Sequence, residues 1–353
     1  MKRELSKIFQ VAVVFIGTIV GAGLASGQEI KGFFTSYGIS SFIGIIICGI
    51  FYTIMGSIVS KISIKYNLTS YGDVINVVSP NLLGKITGII TTFYLISSAS
   101  IILAGSGALI NQFFGIPKII GSIIMIALAI FFLLKDTDGL IEVNSFIVPT
   151  LVVTITIITA LYFMFCKDML SIDFLTKFKP QKTGISFSTI LYFGYNTLCS
   201  LGVLVPLSSQ IKKPKTMFYG VALGAAGLTI LSLVINLLLM INQPYIHQYE
   251  VPLLFVAQRF GNIIQALLLV VIWLEMFSTE VSDIYSISKT LEDTIHIDFK
   301  KGIFIVLAIS LPISRLGFSS LIGTLYPLFG VLSLVFICQI IYFYFKHKKE
   351  LNN

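Results

Sequence analysis

Long apolar segments separated by short polar stretches follow one another along nearly the whole chain. A transmembrane helix needs about 20 mostly apolar residues to cross roughly 30 Å of hydrocarbon, and ten segments approach or exceed that length. We therefore predict an all-α integral membrane protein whose even number of spans places both termini on one side. The predicted spans are 8–36, 39–61, 82–111, 117–135, 139–166, 186–210, 215–241, 261–290, 301–317 and 321–345.

The composition fits a lipid environment. Of the 353 residues, 56% are hydrophobic and only 11% are charged, whereas soluble domains carry about 25% charged residues. The formal net charge is +8, but there is no basic stripe with interleaved aromatic residues, which argues against nucleic acid as a partner. We expect a single transmembrane domain over 1–353 in the cell membrane, with the lipid bilayer and a small molecule as partners. The oligomeric state is left open.

Basic residues indicate the orientation of the spans. Sixteen of the 24 Lys and Arg residues fall on the side of the two termini. Because cytoplasmic loops carry an excess of positive charge, we place both termini in the cytoplasm. The basic loop 167–182 lies on the opposite side and is the main exception. The polar segment 244–260 is too short to span and predicts a short helix on the outer face.

Chemical motifs are scarce. The four cysteines and three histidines are dispersed, without the spacing of a metal site or a disulfide framework. No GxxxxGK[ST], GxSxG or HExxH motif occurs, so ATP-driven transport and hydrolase chemistry have no support. We expect neither an enzyme nor a resident cofactor, and leave Na⁺ open as a coupling ion beside the proton.

Two spans contain residues that disfavour a continuous lipid-facing helix. The first contains GAGLASGQE at 21–29, and each glycine costs about 1 kcal/mol relative to alanine in a helix. Close packing explains the glycines equally well, but it does not explain the carboxylate, so we predict a discontinuous helix. The sixth span contains GYNTLCSLG at 194–202 with Pro206 beyond it, which predicts a second unwound stretch.

These two spans open two comparable halves of the chain, 8–166 and 186–345. Each half holds five predicted spans, and an odd number gives the halves opposite orientations in the membrane. Paired, interrupted segments in corresponding positions are typical of inverted-repeat transporters. The halves share no strong residue identity, so the predicted repeat depends on topology.

The segment GAGLASGQEI at 21–30, the ten predicted spans and the length resemble the YkvI-like family of bacterial membrane proteins. That family is similar to the amino acid–polyamine–organocation transporters, which have the leucine-transporter (LeuT-type) fold, a 5+5 inverted repeat with broken first and sixth helices. The resemblance implies a secondary active transporter of a small zwitterion, an amino acid in particular, coupled to sodium or protons by alternating access. The alternative is a receptor of the same fold that binds a small ligand without flux.

The resemblance also implies a substrate site between the first, third and sixth spans. Free N–H groups at a helix end bind a carboxylate, and small residues let the ligand approach the backbone. Gln28 and Glu29, just outward, are candidates for a gate, although Glu29 could equally pair with Lys31 at the membrane interface. The substrate-binding candidates are Gly21, Ala22, Gly23, Tyr94, Ser97, Ser98, Tyr195, Asn196, Thr197 and Ser200.

The eighth span adds candidates for ion coupling. Glu275, Ser278 and Thr279 share one helical face through their i, i+3, i+4 spacing, and a carboxylate inside the membrane marks an ion or proton route. By the resemblance, the two hydroxyls match the place where sodium-coupled members of the fold bind the ion, although such residues are also common in helix packing. We expect Asp283 near the cytoplasmic end, paired with a lysine or water, and leave both roles open for Glu280.

Overall fold

A computed structural model describes residues 2–79, 82–134, 140–177 and 179–352. Within these ranges all regular structure is helical, and three short 3₁₀ turns (Thr35–Ser40, Lys167–Leu170 and Tyr245–Gln248) connect the α-helices. The α-helices are α1 (Lys2–Ile19), α2 (Ala22–Ala25), α3 (Gln28–Phe33), α4 (Ser41–Lys65), α5 (Tyr71–Val78), α6 (Leu82–Phe114), α7 (Lys118–Leu133), α8 (Leu140–Phe165), α9 (Ile172–Thr176), α10 (Ile185–Ile211), α11 (Pro214–Met240), α12 (Pro252–Gln258), α13 (Asn262–Ile295), α14 (Phe299–Ser314), α15 (Phe318–Lys346) and α16 (Lys348–Asn352).

In the part of the chain that the structure describes, six helical segments are long and apolar enough to cross a membrane. Two shorter apolar helices, in α7 and α8, accompany them. Large apolar side chains such as Ile89 and Ile263 project outward from these helices, a surface suited to lipid rather than to water. The six segments are Thr35–Lys65, Ile86–Phe114, Ile185–Ile211, Pro214–Met240, Asn262–Glu292 and Phe318–Lys346.

The broken first helix lies between two groups of long helices. On one side α10 packs against α1, α4 and α15, and α11 packs against α1 and α4. On the other side α13 packs against α6, α8 and α14. The short helix α2 contacts α13, whereas α3 contacts α10, α11 and α15. The break therefore lies where the two groups of helices meet.

The first helix is discontinuous, in agreement with the sequence. After α1 the backbone is extended at Gly21 (φ −115°, ψ −171°), and it is left-handed at Gly27 (φ 79°), just before α3. A Cβ atom at Gly27 would lie 2.8 Å from Cγ of Leu253. Both the backbone conformation and the close neighbour therefore require glycine at this position.

The sixth predicted span differs from the prediction. Helix α10 is continuous from Ile185 to Ile211, including Pro206, so the expected break at 194–202 is wrong. The side chains of Asn196, Thr197 and Ser200 donate hydrogen bonds of 3.0, 2.9 and 2.9 Å to carbonyl oxygens three or four residues earlier in the same helix. Because polar side chains can bond back to their own helix in this way, the polar cluster is compatible with a regular helix.

Candidate functional site

The break leaves main-chain groups without helical partners. The Val20 N–H donates to the carbonyl of Ile16 at 2.8 Å, and the next main-chain bond of this kind runs from Ala25 to Gly21 at 2.9 Å. Within the described chain, the N–H groups of 21–24 have no main-chain acceptor and the carbonyls of 17–20 have no main-chain donor. Donors at the start of α2 and acceptors at the end of α1 therefore border the same break.

Gly21 and Gly23 have different surroundings at this break. No atom lies within 4 Å of the position of a Cβ at Gly21, so space is open beside the main chain there. A Cβ at Gly23 would overlap the carboxyl group of Glu29, and Ala22 between them is buried. The three predicted residues do line the break, but Glu29 is the group that lies against Gly23.

Glu29 is buried and hydrogen-bonded to α10. Its side chain belongs to a residue that is only 2% exposed, and the hydroxyl of Tyr195 donates to Oε2. No Lys, Arg or His forms an ion pair with it among the residues that the structure describes. Two predicted site residues that lie 166 positions apart are thus in direct contact.

The alternative pairing of Glu29 with Lys31 is wrong. Nζ of Lys31 donates a 2.8 Å hydrogen bond to the carbonyl of Tyr249, so the two side chains bind different parts of the molecule. The second predicted gate residue, Gln28, is also buried. Its main-chain N–H donates to Oγ of Ser26 at 3.2 Å, while its Oε1 has no partner among the described residues.

Aromatic rings surround the Tyr195 side chain. Its ring stacks on that of Tyr326 with centroids 4.6 Å apart, and it meets Tyr192 edge to face at 5.5 Å. The Phe33 ring lies 5.9 Å from it. We call Phe33, Tyr192, Tyr195 and Tyr326 the aromatic cluster. The i, i+3 spacing of the two α10 tyrosines could have indicated their shared face from the sequence, but Tyr326 gave no comparable signal.

The third predicted span contributes contacts from α6. The Tyr94 hydroxyl lies 2.6 Å from Sγ of Cys199 on α10, and its ring meets Phe329 at 5.1 Å. Ser97 and Ser98 are both buried. Ser98 hydrogen-bonds to Asp283 on α13. Helix α6 therefore contacts both α10 and α13.

The predicted ion-coupling residues lie on α13, the helix that packs against α2. Glu275 and Ser278 are buried, and Oε2 of Glu275 has no partner among the described residues. The Thr279 hydroxyl donates to the carbonyl of Glu275 at 3.0 Å. Its oxygen lone pairs therefore remain available to a cation.

The expected pairing of Asp283 with a lysine is wrong, since none of the ion pairs among the described residues includes it. Asp283 is only 8% exposed and Glu280 is 0% exposed, and both oxygens of Glu280 and Oδ2 of Asp283 are without partners in the described part of the chain. Lys289 instead pairs with Glu292 at 2.5 Å. Among the described residues, no group of three or more His, Cys, Asp or Glu side chains could hold a metal ion.

The segment between α11 and α13 lies against the end of the break, where the main-chain N–H of Leu253 donates a 3.0 Å hydrogen bond to the carbonyl of Ser26. As predicted, it contains a short helix, α12. The amide of Gln112 exchanges hydrogen bonds of 2.9 and 3.1 Å with the main chain of Val251, and Lys118 forms an ion pair with Glu250. Burial lowers the pKa of His247, as does the nearby positive charge of lysine side chains, so its imidazole is neutral at physiological pH.

Comparison with known proteins gives the family. The chain is 30% identical to the membrane protein YkvI of Bacillus subtilis (strain 168) over 338 residues, which cover 96% of each chain. The chain belongs to the YkvI family. It is also 28% identical to the protein YyaD of the same organism over 334 residues, or 94% of this chain and 95% of YyaD. No family model matches the sequence.

Solved structures identify the fold of this YkvI-family protein. A manganese transporter of Eremococcus coleocola, in complex with an aromatic bis-isothiourea compound, superposes with a TM-score of 0.67 at 16% identity, covering 96% of this chain and 79% of its own. MhsT in complex with L-phenylalanine gives 0.62 at 15% identity, covering 89% and 80%. Mhp1, of the nucleobase-cation-symport-1 family, gives 0.55 at 14%, covering 91% and 74%. These are LeuT-type transporters, and the YkvI-family chain shares their fold.

Proposed function

We propose that this YkvI-family protein is a secondary active transporter that moves a small zwitterion of the amino acid class by alternating access. The observation that carries the proposal is the broken first helix, where the N–H groups of 21–24 and the carbonyls of 17–20 have no main-chain partner among the described residues. N–H groups at the start of a helix bind a carboxylate, and carbonyls at the end of a helix favour a cation. One break thus offers complementary partners to both ends of a zwitterion.

The proposal includes a membrane arrangement. We infer ten spans in a 5+5 inverted repeat over 8–166 and 186–345, with both termini in the cytoplasm. The excess of basic residues on the side of the termini supports this orientation. Because α10 is continuous, the break belongs to the first half only.

The coupling ion is also part of the proposal. Ser278 and Thr279 offer hydroxyl oxygens, which are ligands that a hard cation such as Na⁺ accepts, on a helix that packs against α2. Glu275 offers the alternative, because a buried carboxylate that can gain and lose a proton would couple transport to H⁺. The coupling ion is thus either Na⁺ or H⁺, and uptake measured under separate Na⁺ and proton gradients distinguishes the two.

Uptake into proteoliposomes tests the proposal. The purified full-length chain is reconstituted, and accumulation of radiolabelled L-amino acids is followed under an inward Na⁺ gradient, an inward proton gradient, or neither. We expect accumulation above equilibrium with one gradient, and collapse when an ionophore dissipates it. Binding of the same compounds without accumulation under either gradient would contradict transport and would favour a receptor of the same fold.

A further inference from the structure

We propose that Glu29 binds the ammonium group of the substrate, so that this protein selects positively charged amines and amino acids over carboxylic acids that lack an amine. This inference rests on the proposed function, because it assigns a substrate class to the same break. It adds a recognition group, a charge requirement and an excluded class of compounds.

The carboxylate of Glu29 is buried without a cationic partner among the described residues. The residue is 2% exposed, and the Tyr195 hydroxyl that donates a hydrogen bond to it is neutral. Lys31, the nearest basic residue in sequence, binds the carbonyl of Tyr249 instead. A buried carboxylate is costly unless it is paired or coordinated. The described chain supplies no cation here, and a cationic ligand would.

The aromatic cluster lies beside the Glu29 carboxylate. The Tyr195 ring stacks on Tyr326 at 4.6 Å and meets Tyr192 at 5.5 Å. The Phe33 ring lies 5.2 Å from that of Tyr192. The faces of aromatic rings attract ammonium groups, most strongly where water is excluded. A carboxylate next to such rings is therefore suited to a protonated amine.

Glu29 borders the break in the first helix. Its carboxyl group lies against the main chain at Gly23. In the described chain the N–H groups of this stretch have no main-chain acceptor, and the space beside Gly21 is open. A zwitterion can place its ammonium group at Glu29 and its carboxylate toward the N–H groups. A carboxylic acid without an amine would instead meet an uncompensated negative charge, so we expect it to be rejected.

Thermal unfolding of the detergent-solubilised full-length protein tests the charge requirement. The probes are the twenty L-amino acids, the amines obtained by removing their carboxylates, their N-acetyl derivatives and their α-keto acids. A ligand that binds only the folded protein raises Tm, because it stabilises that state by RT ln(1 + [L]/Kd). We expect amino acids and amines to raise Tm, and N-acetyl derivatives and keto acids to leave it unchanged. Equal stabilisation by the acetylated compounds, or no stabilisation by any ammonium compound, would overturn the inference.

Variants at Glu29 test the assigned residue. Glu29→Gln keeps the size of the side chain and removes its charge, and we expect at least a tenfold loss of amine affinity. Glu29→Asp keeps the charge and should retain more affinity than Gln, which gives a readout if the amide variant folds poorly. Glu292→Gln is the matched control, because Glu292 pairs with Lys289 away from the break. Unchanged amine affinity in well-folded Glu29→Gln would refute the assignment.

The outcome of this experiment is separable from that of the proposed function. Ammonium-dependent stabilisation without uptake would contradict transport and leave the role of Glu29 intact. Uptake that is insensitive to N-acetylation of the substrate and to Glu29→Gln would refute the inference and leave transport intact.

Discussion

The main-chain N–H of Leu253 donates a 3.0 Å hydrogen bond to the carbonyl oxygen of Ser26. This bond joins the first turn of α12 to the end of α2. The Leu253 side chain also packs over Gly27, where a Cβ atom would lie 2.8 Å from Cγ. The segment between α11 and α13 and the broken helix are therefore held together at one point by a main-chain bond and a close apolar contact.

Gly27→Ala is expected to destabilise the protein at this point. Gly27 has a left-handed backbone conformation, which costs an alanine about 1–2 kcal/mol, and the added methyl group would displace Leu253. The measurement is Tm of the purified variant, with Gly32→Ala as the control. Gly32 lies in α3 with no atom within 4 Å of its Cβ position. Equal Tm values for the two variants would show that the contact is unimportant.

Gly21→Ala tests whether the ligand occupies the open space beside the break, because the substitution should leave the stability of the fold unchanged. The position has no neighbour within 4 Å of a Cβ and an extended backbone that alanine accepts, so we expect an unchanged Tm. The methyl group would enter the open space beside the break, and the Tm increase caused by amino acids should disappear.

Gly23→Val tests the neighbouring position. Its side chain would overlap the Glu29 carboxyl group, so we expect loss of uptake together with a lower Tm, because the buried hydrogen bond to Tyr195 is disturbed. Full ligand response in Gly21→Ala, or normal uptake by Gly23→Val, would remove the break from the substrate site.

The double variant Ser278→Ala, Thr279→Ala tests sodium coupling. If both hydroxyls bind Na⁺, their loss weakens substrate binding indirectly, so substrate affinity should fall most at low Na⁺ and recover partly as Na⁺ rises. Such recovery follows from linkage, since each ligand changes the affinity of the other by one shared factor. The measurement is substrate affinity across a Na⁺ series at fixed pH.

Glu275→Gln tests proton coupling in the same assay. An amide cannot exchange a proton, so the pH dependence of uptake should flatten while Na⁺ has no effect. Wild-type Na⁺ and pH profiles in both the double-alanine and the Glu275→Gln proteins would exclude α13 from coupling.

Asp73 gives a pH-dependent contribution to stability outside the spans. The main-chain N–H groups of Thr69 and Ser70 donate 2.9 Å hydrogen bonds to its carboxylate, and these bonds lower the pKa of Asp73. Because the pKa is lower in the folded than in the unfolded protein, the stabilisation is present at neutral pH and is lost as pH falls through the folded-state value. We expect Asp73→Asn to cost about 1 kcal/mol at neutral pH.

The measurement is Tm of the wild type and Asp73→Asn in steps from pH 7 down to pH 3. The difference between the two proteins should shrink as the wild-type carboxylate is protonated. A difference that is constant over this range would show that the charge of Asp73 does not contribute.

The sequence predicted the first break because its cause is local. Glycines at 21–27 and the following carboxylate are visible without knowledge of any neighbour. The same reasoning failed at 194–202, because the hydrogen bonds that satisfy Asn196 and Thr197 also lie within one helix, and a polar run looks alike whether it bonds to its own turns or unwinds.

Other features depend on neighbours that are distant in sequence. The contact between Glu29 and Tyr195 joins two halves of the chain, and no local pattern indicates it. Asp283 was expected near the cytoplasmic surface, yet it is buried beside Ser98. The sequence therefore predicted which residue types line the site better than which of them are in contact.

Helix α2 lies between two points, Gly21 and Gly27, at which the backbone leaves the helical conformation. Helix α1 and helix α3 can change their angle to one another without bending either helix, since hinge motion is absorbed by a few residues at element ends. Helix α10 is continuous from Ile185 to Ile211 and has no such point along its length. Any change of angle between α1 and α3 would therefore be made at these two glycines, whereas any movement of α10 would be that of one continuous helix.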